Sequence, residues 1–299
     1  MGFVSPVAMV RAAQAGGYAV PAFNTNGANY EITRAALEVA DEMRSPLILQ
    51  VYEPNSEYRG YDFCAEQSSF LCRSLAVTVP VALELDHGRS LGSVLRAMRA
   101  GFTAVMFDAS EKPLEENIRE SRRVAEIAHE AGVAVEAEVG HVKGNGPVSG
   151  TRVGRVPVPE RPTVPPTRTD PDEARRFVDV VHVDMLAVSV GTTHGVYRKQ
   201  DAIDMALLER IRRSVAVPLV QHGTGGIAPA DLSRLAAAGM SKINFGEPFR
   251  YAYIEYFNEL TDASEHLWHS WRIMQAVKDR LKEDMRVLIE AIGSGGKAP

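Results

Sequence analysis

The chain has 299 residues, of which 45% are hydrophobic and 24% charged, the composition of a globular protein with ample material for a core. Its formal charge of -5 leaves no basic footprint for nucleic acid, and no run approaches the roughly 18 uninterrupted apolar residues of a membrane span. The opening MGFVSPVAMVRAAQAGG lacks the basic and apolar regions of a signal peptide, and Pro6 stands where a myristoylation signal wants Ser or Thr, so a cytoplasmic protein is expected.

A first helix is predicted over 5–15, with Ser5 as its cap, Pro6 at the first helical position and Gly16-Gly17 as its stop. YAVPAF (18–23) reads as a strand, followed by a helix with Ile32, Ala36, Val39 and Met43 on one face. PLILQV (46–51) is the next strand. A helix around 62–76 holds both cysteines, Cys64 and Cys72, whose number and spacing suit reduced structural thiols rather than a disulfide or a metal site. PVALEL (80–85) leads to a helix over 90–100 stopped by Gly101, and TAVMF (103–107) to a helix over 114–131 ended by Gly132. VAVEAEV (133–139), MLAVSV (185–190), VPLVQ (217–221) and SKINF (241–245) are four further strands, with helices over 201–213 and 229–238 between the last three.

Alternating strands and helices imply a parallel sheet, and eight repeats in under 300 residues favour an α/β fold of the closed (β/α)8 TIM-barrel type, a single domain over 1–299. An open Rossmann or flavodoxin-like sheet is the alternative, but no G-x-G-x-x-G follows the first strand. Residues 250–299 form a C-terminal helical extension. Its stripe of Leu267, Trp271, Met274, Leu281, Met285, Leu288 and Ile292 suits a helix that covers the barrel or packs on a neighbouring subunit. Residues 140–170 have no helical period and are dense in Gly, Pro and Arg. They follow the fifth strand and are predicted to form a lid-like insertion over the C-terminal face, where barrel enzymes keep their active sites.

Three histidines fall at that face: His87 in Asp86-His87-Gly88, His194 in Thr193-His194-Gly195, and His222 in His222-Gly223. Neutral imidazoles converging from three strand ends are what a zinc-type site with an open position needs. The other histidines, at 129, 141, 182, 266 and 269, lack that register, and surface roles suit most of them. Among the carboxylates, Asp86 is the candidate general acid–base or an orienter of a ligand histidine, and Asp108 ends the fourth strand. Glu136 and Glu138, two apart on the fifth strand, share one face of it, either both into the barrel or both out. Lys242 in the last strand offers a Schiff-base route as the minor reading.

The ordered segments GYAVPAFN, LDHG, AVMFDAS, VEAEVGHV, VGTTHGVY, LVQHGTGGI and KINF resemble the signatures of the class II (metal-dependent) fructose-bisphosphate and tagatose-bisphosphate aldolase family, from about residue 10 to 250. The resemblance implies a zinc ion, or another divalent ion, on His87, His194 and His222, with Glu138 near an alternative metal position and no organic cofactor. It implies that Asp86 moves the proton of the substrate's C4 hydroxyl and that Asn244 touches the ketone fragment. Asn24, Asp108, Gly195, Gly223, Thr224, Gly225 and Glu247 stand at the corresponding substrate-binding positions. A sugar or ketose phosphate substrate and a homodimer or homotetramer follow from the same likeness.

The chain departs from that pattern at two places. Where the family grips the phosphate of dihydroxyacetone phosphate with Ser or Thr hydroxyls, this chain has Gly225 and Glu247, with Thr224 one residue early as a partial substitute. A carboxylate facing a phosphate is repulsive. Lys143, Arg152 or Arg155 from the long loop can supply positive charge, or the donor carries no phosphate and Glu247 binds hydroxyl or amine groups. The loop after EVG reads HVKGNGPVSG, without the family's acidic residue; His141 and Lys143 are the loop's candidate contributors, His141 as the replacement proton carrier. Isomerisation or epimerisation on the same scaffold, and a non-catalytic sugar-binding barrel, are the competing readings.

Overall fold

The computed structural model describes residues 2–144, 158–263 and 269–299, so Arg152, Arg155, His266 and Leu267, and residues 145–157 of the lid-like segment, lie outside the described residues. Eight parallel strands close into a barrel in chain order. They are β1 (Val20–Asn24), β2 (Leu47–Tyr52), β3 (Val81–Gly88), β4 (Ala104–Phe107), β5 (Ala134–Val139), β6 (Met185–Val188), β7 (Leu219–Gln221) and β8 (Met240–Phe245). The TIM-barrel expectation holds, with strand ends moved by one to three residues.

Eleven helices accompany them among the described residues: α1 (Val7–Gly16), α2 (Tyr30–Glu42), α3 (Glu53–Arg59), α4 (Tyr61–Ser74), α5 (Leu91–Ala100), α6 (Leu114–Glu130), α7 (Pro171–Val181), α8 (Met205–Ser214), α9 (Pro229–Ala237), α10 (Glu247–Asp262) and α11 (Ser270–Ala291). Side-chain caps fix several starts. Asn29 accepts from the Ile32 N–H at α2, Ser90 and Ser93 form a reciprocal box at α5, and Asp170 accepts from two N–H groups ahead of α7. The short α3 was not foreseen, because seven residues carry too little period to read. Helix α1 starts at Val7, with Pro6 at the cap position and Ser5 Oγ only 3.5 Å from the Val7 N–H, so Ser5 is not the cap. Helix α8 starts at Met205 rather than 201, where the Asp204 side chain takes the Leu207 N–H.

Every strand is buried on both sides, which gives two cores. Helices and outward strand faces form the outer one. Val20, Ala22, Ile48, Ala82, Met106, Met185, Ala187 and Val220 fill the lower barrel, and α1 closes that end with Met9, Val10 and Ala13. Above this plug the interior turns polar, which directs the chemistry to the opposite mouth.

The tail expectation needs correcting in register. Helix α11 lies on α2, α9 and α10 of its own barrel. It buries Ile273, Val277, Leu281, Met285 and Ile289, while Trp271 is 60% exposed and Met274 and Leu288 are half-buried. Aromatic size misled the sequence reading here, since Ile273 and Val277 take the inner stripe. Cys64 and Cys72 are buried free thiols, and no helix of the described residues is long and apolar enough to cross a membrane.

Candidate metal centre at the barrel mouth

Three histidine rings from β3 and from the loops after β6 and β7 meet edge to face, with centroids 5.0, 5.2 and 5.6 Å apart. Their ligand-capable nitrogens all lie within 4.8 Å of one another. His222 Nδ1 and His87 Nε2 stand 3.2 Å apart.

Each ring's other nitrogen meets a carboxylate. His87 Nδ1 is 2.7 Å from Asp108 Oδ2, His222 Nε2 is 2.9 Å from Glu136 Oε1, and His194 Nδ1 is 3.1 Å from Glu247 Oε1. A carboxylate on one nitrogen fixes the proton there and turns the lone pair of the other inward. The three inward nitrogens are therefore His87 Nε2, His194 Nε2 and His222 Nδ1. Buried atoms without a hydrogen-bond partner gather around them: His194 Nε2, Asp86 Oδ1, Glu138 Oε2 and the Asn244 Oδ1. Such orphans are rare in folded proteins, and this cluster is what a cation and a polyhydroxylated ligand would satisfy.

A local distortion lets consecutive residues share the site. Asp86 and His87 would ordinarily face opposite sides of β3. The β3–β4 register slips between Leu85 and Gly88, and His87 adopts a left-handed φ of +51°. The bulge re-aims the ring, at a conformational cost of about 1–3 kcal/mol, so that Asp86 Oδ1 comes to 3.9 Å from His87 Nε2. Asn24 donates to Asp86 Oδ2 at 2.9 Å and holds it there.

Beneath the rings runs a buried ionic chain. Lys242 Nζ bridges Glu84 Oε2 at 2.6 Å and Glu136 Oε2 at 2.5 Å, and Gln50 donates to Glu84 at 2.8 Å. Glu136 and Glu138 both point inward, which decides between the two orientations left open by strand alternation. Lys242 is fully buried and its pKa is raised, since its two carboxylates overcome the burial that opposes its charge. A Schiff-base amine must be neutral, so the lysine route is corrected: Lys242 is a counter-ion for Glu84 and Glu136. Lys242→Met strands both carboxylates in the core and is expected to destabilise the fold by about 3–5 kcal/mol, read as a large fall in urea midpoint. A midpoint unchanged from wild type would contradict this.

Electrostatics follow from the same packing. Burial opposes charge on His87, yet Asp86 and Asp108 outweigh it and raise its pKa to about 10. Burial and the neighbouring His87 and His194 push His222 well below its ordinary value. Burial, aided by Asp108, pushes Glu138 up to about 7. Burial also opposes ionisation of Glu247, but the His194 ring wins and holds it down to about 2.

A cavity of about 720 Å³ opens above the rings, lined among others by Asn24, Asp108, Gly195, Gly223, Asn244 and Glu247, together with His141 and Lys143. Several expected roles change. Asp108 and Glu247 line the cavity and at the same time hold His87 and His194. The Thr224 hydroxyl donates to the Asn244 carbonyl at 2.7 Å, and neither Thr224 nor Gly225 lines the cavity. His141, a candidate loop contributor, reaches the site: its Nδ1 lies 2.9 Å from Ser110 Oγ and 3.8 Å from Glu138 Oε1. Lys143 is exposed, and its backbone carbonyl accepts from the His194 N–H at 2.8 Å. Arg89, Tyr52 and Arg250 also line the cavity and were missed. Arg250, three residues after Glu247 on one helix face, was the most findable of them.

With this geometry described, comparisons with known proteins agree on one family. The family profile described as "Fructose-bisphosphate aldolase class-II" matches residues 4–297. A fructose-bisphosphate aldolase of Thermus caldophilus is 36% identical over 318 residues, covering 99% of this chain and 99% of that protein. One from Geobacillus stearothermophilus is 36% identical over 299 residues, covering 100% and 99%. The crystal structure of the YdjI aldolase from Escherichia coli K12 superposes with a TM-score of 0.80 at 29% identity, covering 99% of this chain and 100% of that one.

Proposed function

The chain belongs to the class II fructose-bisphosphate aldolase family and is an aldolase, a lyase of carbon–carbon bonds; on that premise we propose that it cleaves and forms a ketose reversibly with zinc at the three histidines. The observation that carries this reading is the convergence of three carboxylate-backed imidazoles beside an orphaned carboxylate oxygen of Asp86. The family makes a sugar phosphate the substrate class. A cytoplasmic homodimer or homotetramer completes the reading.

A divalent cation held by His87, His194 and His222 would supply Lewis-acid polarisation of the ketone. The chain's own residues do the rest. Asp86, steadied by Asn24, takes the proton from the hydroxyl on the aldehyde side as the C–C bond breaks, and returns it in condensation. The Asn244 amide, 3.1 Å from His222 Nε2, orients the ketone half. Glu138, with its Oε2 free and 3.9 Å from His222 Nδ1, would offer a divalent cation a second position. His141, between Ser110 and Glu138, exchanges the proton at the ketone-derived carbon in place of a loop acid.

Product analysis tests the reaction class. Zinc-loaded protein and a ketose should give two carbonyl fragments; one rearranged sugar would mean isomerisation instead. Metal uptake should also depend on pH. His87 binds a cation only as the neutral ring, and below about pH 10 it is protonated in the metal-free protein. Each binding event must then displace a proton, so zinc affinity should rise about tenfold per pH unit between roughly pH 7 and 9. Chelator competition across that range would read it, and a flat profile would refute it.

A further inference from the structure

In TIM barrels an anionic end of a ligand commonly sits between the loops after strands 7 and 8 and a helix N-terminus. Here those elements are the Gly223–Gly226 turn and the start of α10, where Gly246 precedes Glu247. On the reading above, Asp86 of β3 serves the departing aldehyde, so the donor half faces this opposite side. Three observations describe what the donor end would meet there.

First, the turn is sealed. A Cβ on Gly225 would meet the Gly195 carbonyl oxygen at 1.9 Å, so no hydroxyl-bearing residue fits without moving the β6 loop. Gln200 holds the closure, donating to the carbonyls of Thr193, Gly223 and Gly225 at 2.7, 3.2 and 2.8 Å. Second, the one hydroxyl on the turn is committed, since Thr224 donates to the Asn244 carbonyl. Third, Glu247 at the first position of α10 brings the chain's own carboxylate to the positive end of that helix. Arg250, 3.6 Å from the same oxygen, is already drawn to it, and Lys143 is solvent-exposed.

We propose that Glu247 both positions His194 for the metal and fills the barrel's anion seat with an internal carboxylate, so that the donor half of the substrate is an uncharged hydroxyketone. Any phosphate on the substrate then belongs to the aldehyde half. The inference rests on the aldolase reading. Its physical core is that the carboxylate held 3.1 Å from His194 Nδ1 would stand beside any dianion on the donor end and repel it.

The test follows deuterium exchange into the donor carbon by NMR on zinc-loaded protein without aldehyde, with dihydroxyacetone and dihydroxyacetone phosphate as probes. Wild type should exchange dihydroxyacetone with a kcat/KM at least about tenfold higher than the phosphate, and inorganic phosphate should not compete. Glu247→Thr should narrow or reverse the ratio through a lower KM for the phosphorylated donor. Glu247→Gln should release zinc to a chelator about 10- to 100-fold more readily, and Glu247→Asp should restore retention. A wild-type preference for dihydroxyacetone phosphate, or competition by inorganic phosphate, overturns the donor assignment even if Glu247→Thr proves unstable. Unchanged zinc retention in Glu247→Gln overturns the positioning role. Either result leaves the aldolase reading standing, whereas fully zinc-loaded wild type that exchanges neither donor and cleaves no ketose takes both down.

Discussion

Replacing His222 with alanine is expected to remove bound metal and turnover together. The ring is fully buried, its Nε2 is tied to Glu136 and its Nδ1 faces His87 Nε2 at 3.2 Å, so no neighbour can swing in to replace it. Losing only a carboxylate behind a ligand histidine costs about 10- to 100-fold in metal affinity, so losing the ligand should cost more than about 100-fold. Activity should fall by on the order of 10⁴ or more, because the polarisation of the ketone goes with the cation. Metal content by mass spectrometry and steady-state cleavage would be measured on the same preparation. His194→Ala controls for folding, since its side chain is 21% exposed and its removal leaves the buried Glu136–Lys242 pair intact. If either variant keeps both zinc and near-wild-type turnover, the three-histidine centre is wrong.

Asp86→Asn separates proton transfer from metal binding. The substitution keeps the shape, but an amide cannot take a proton. Asp86 Oδ1 has no hydrogen-bond partner and is 3.9 Å from the nearest ligand nitrogen, so the cation site should survive. The expected result is a fall in kcat of about 10²- to 10⁴-fold, the usual range for a positioned acid–base, with zinc content and melting temperature within error of wild type. Loss of zinc in step with activity would instead make Asp86 an orienter of His87. A kcat within threefold of wild type would remove it from the reaction altogether.

The two variants differ in kind because the site has two layers. Groups that do the chemistry are aimed by their hydrogen-bond partners. Asp108, Glu136 and Glu247 each determine which nitrogen of a ring is presented, and Asn24 does the same for Asp86. The inner layer is continuous with the core through Lys242 and Glu84, so rigidity of the mouth depends on ion pairs that never meet substrate.

Much of this was legible in the residues. Alternation of short apolar runs with helical periods announced eight strands, and a parallel closed sheet places all their C-terminal ends on one rim. Histidines at three of those ends were therefore neighbours before any coordinate was known. Period two on β5 was enough to say that Glu136 and Glu138 share a face. The sequence misjudged positions where two local patterns competed, as on α11, where Trp271 drew the stripe away from Ile273 and Val277.

The order of elements, the rim and its metal-binding residue types are thus properties of the chain read locally, because strand and helix periods are short-range. What lies behind each ring was decided by closure. The slip between β3 and β4 turns His87 beside Asp86, and the approach of α10 to the β6 loop turns Glu247 from a presumed phosphate neighbour into the partner of His194, 53 residues away. Neither has a local signature, since register and crossing between distant elements are set by how the whole barrel packs.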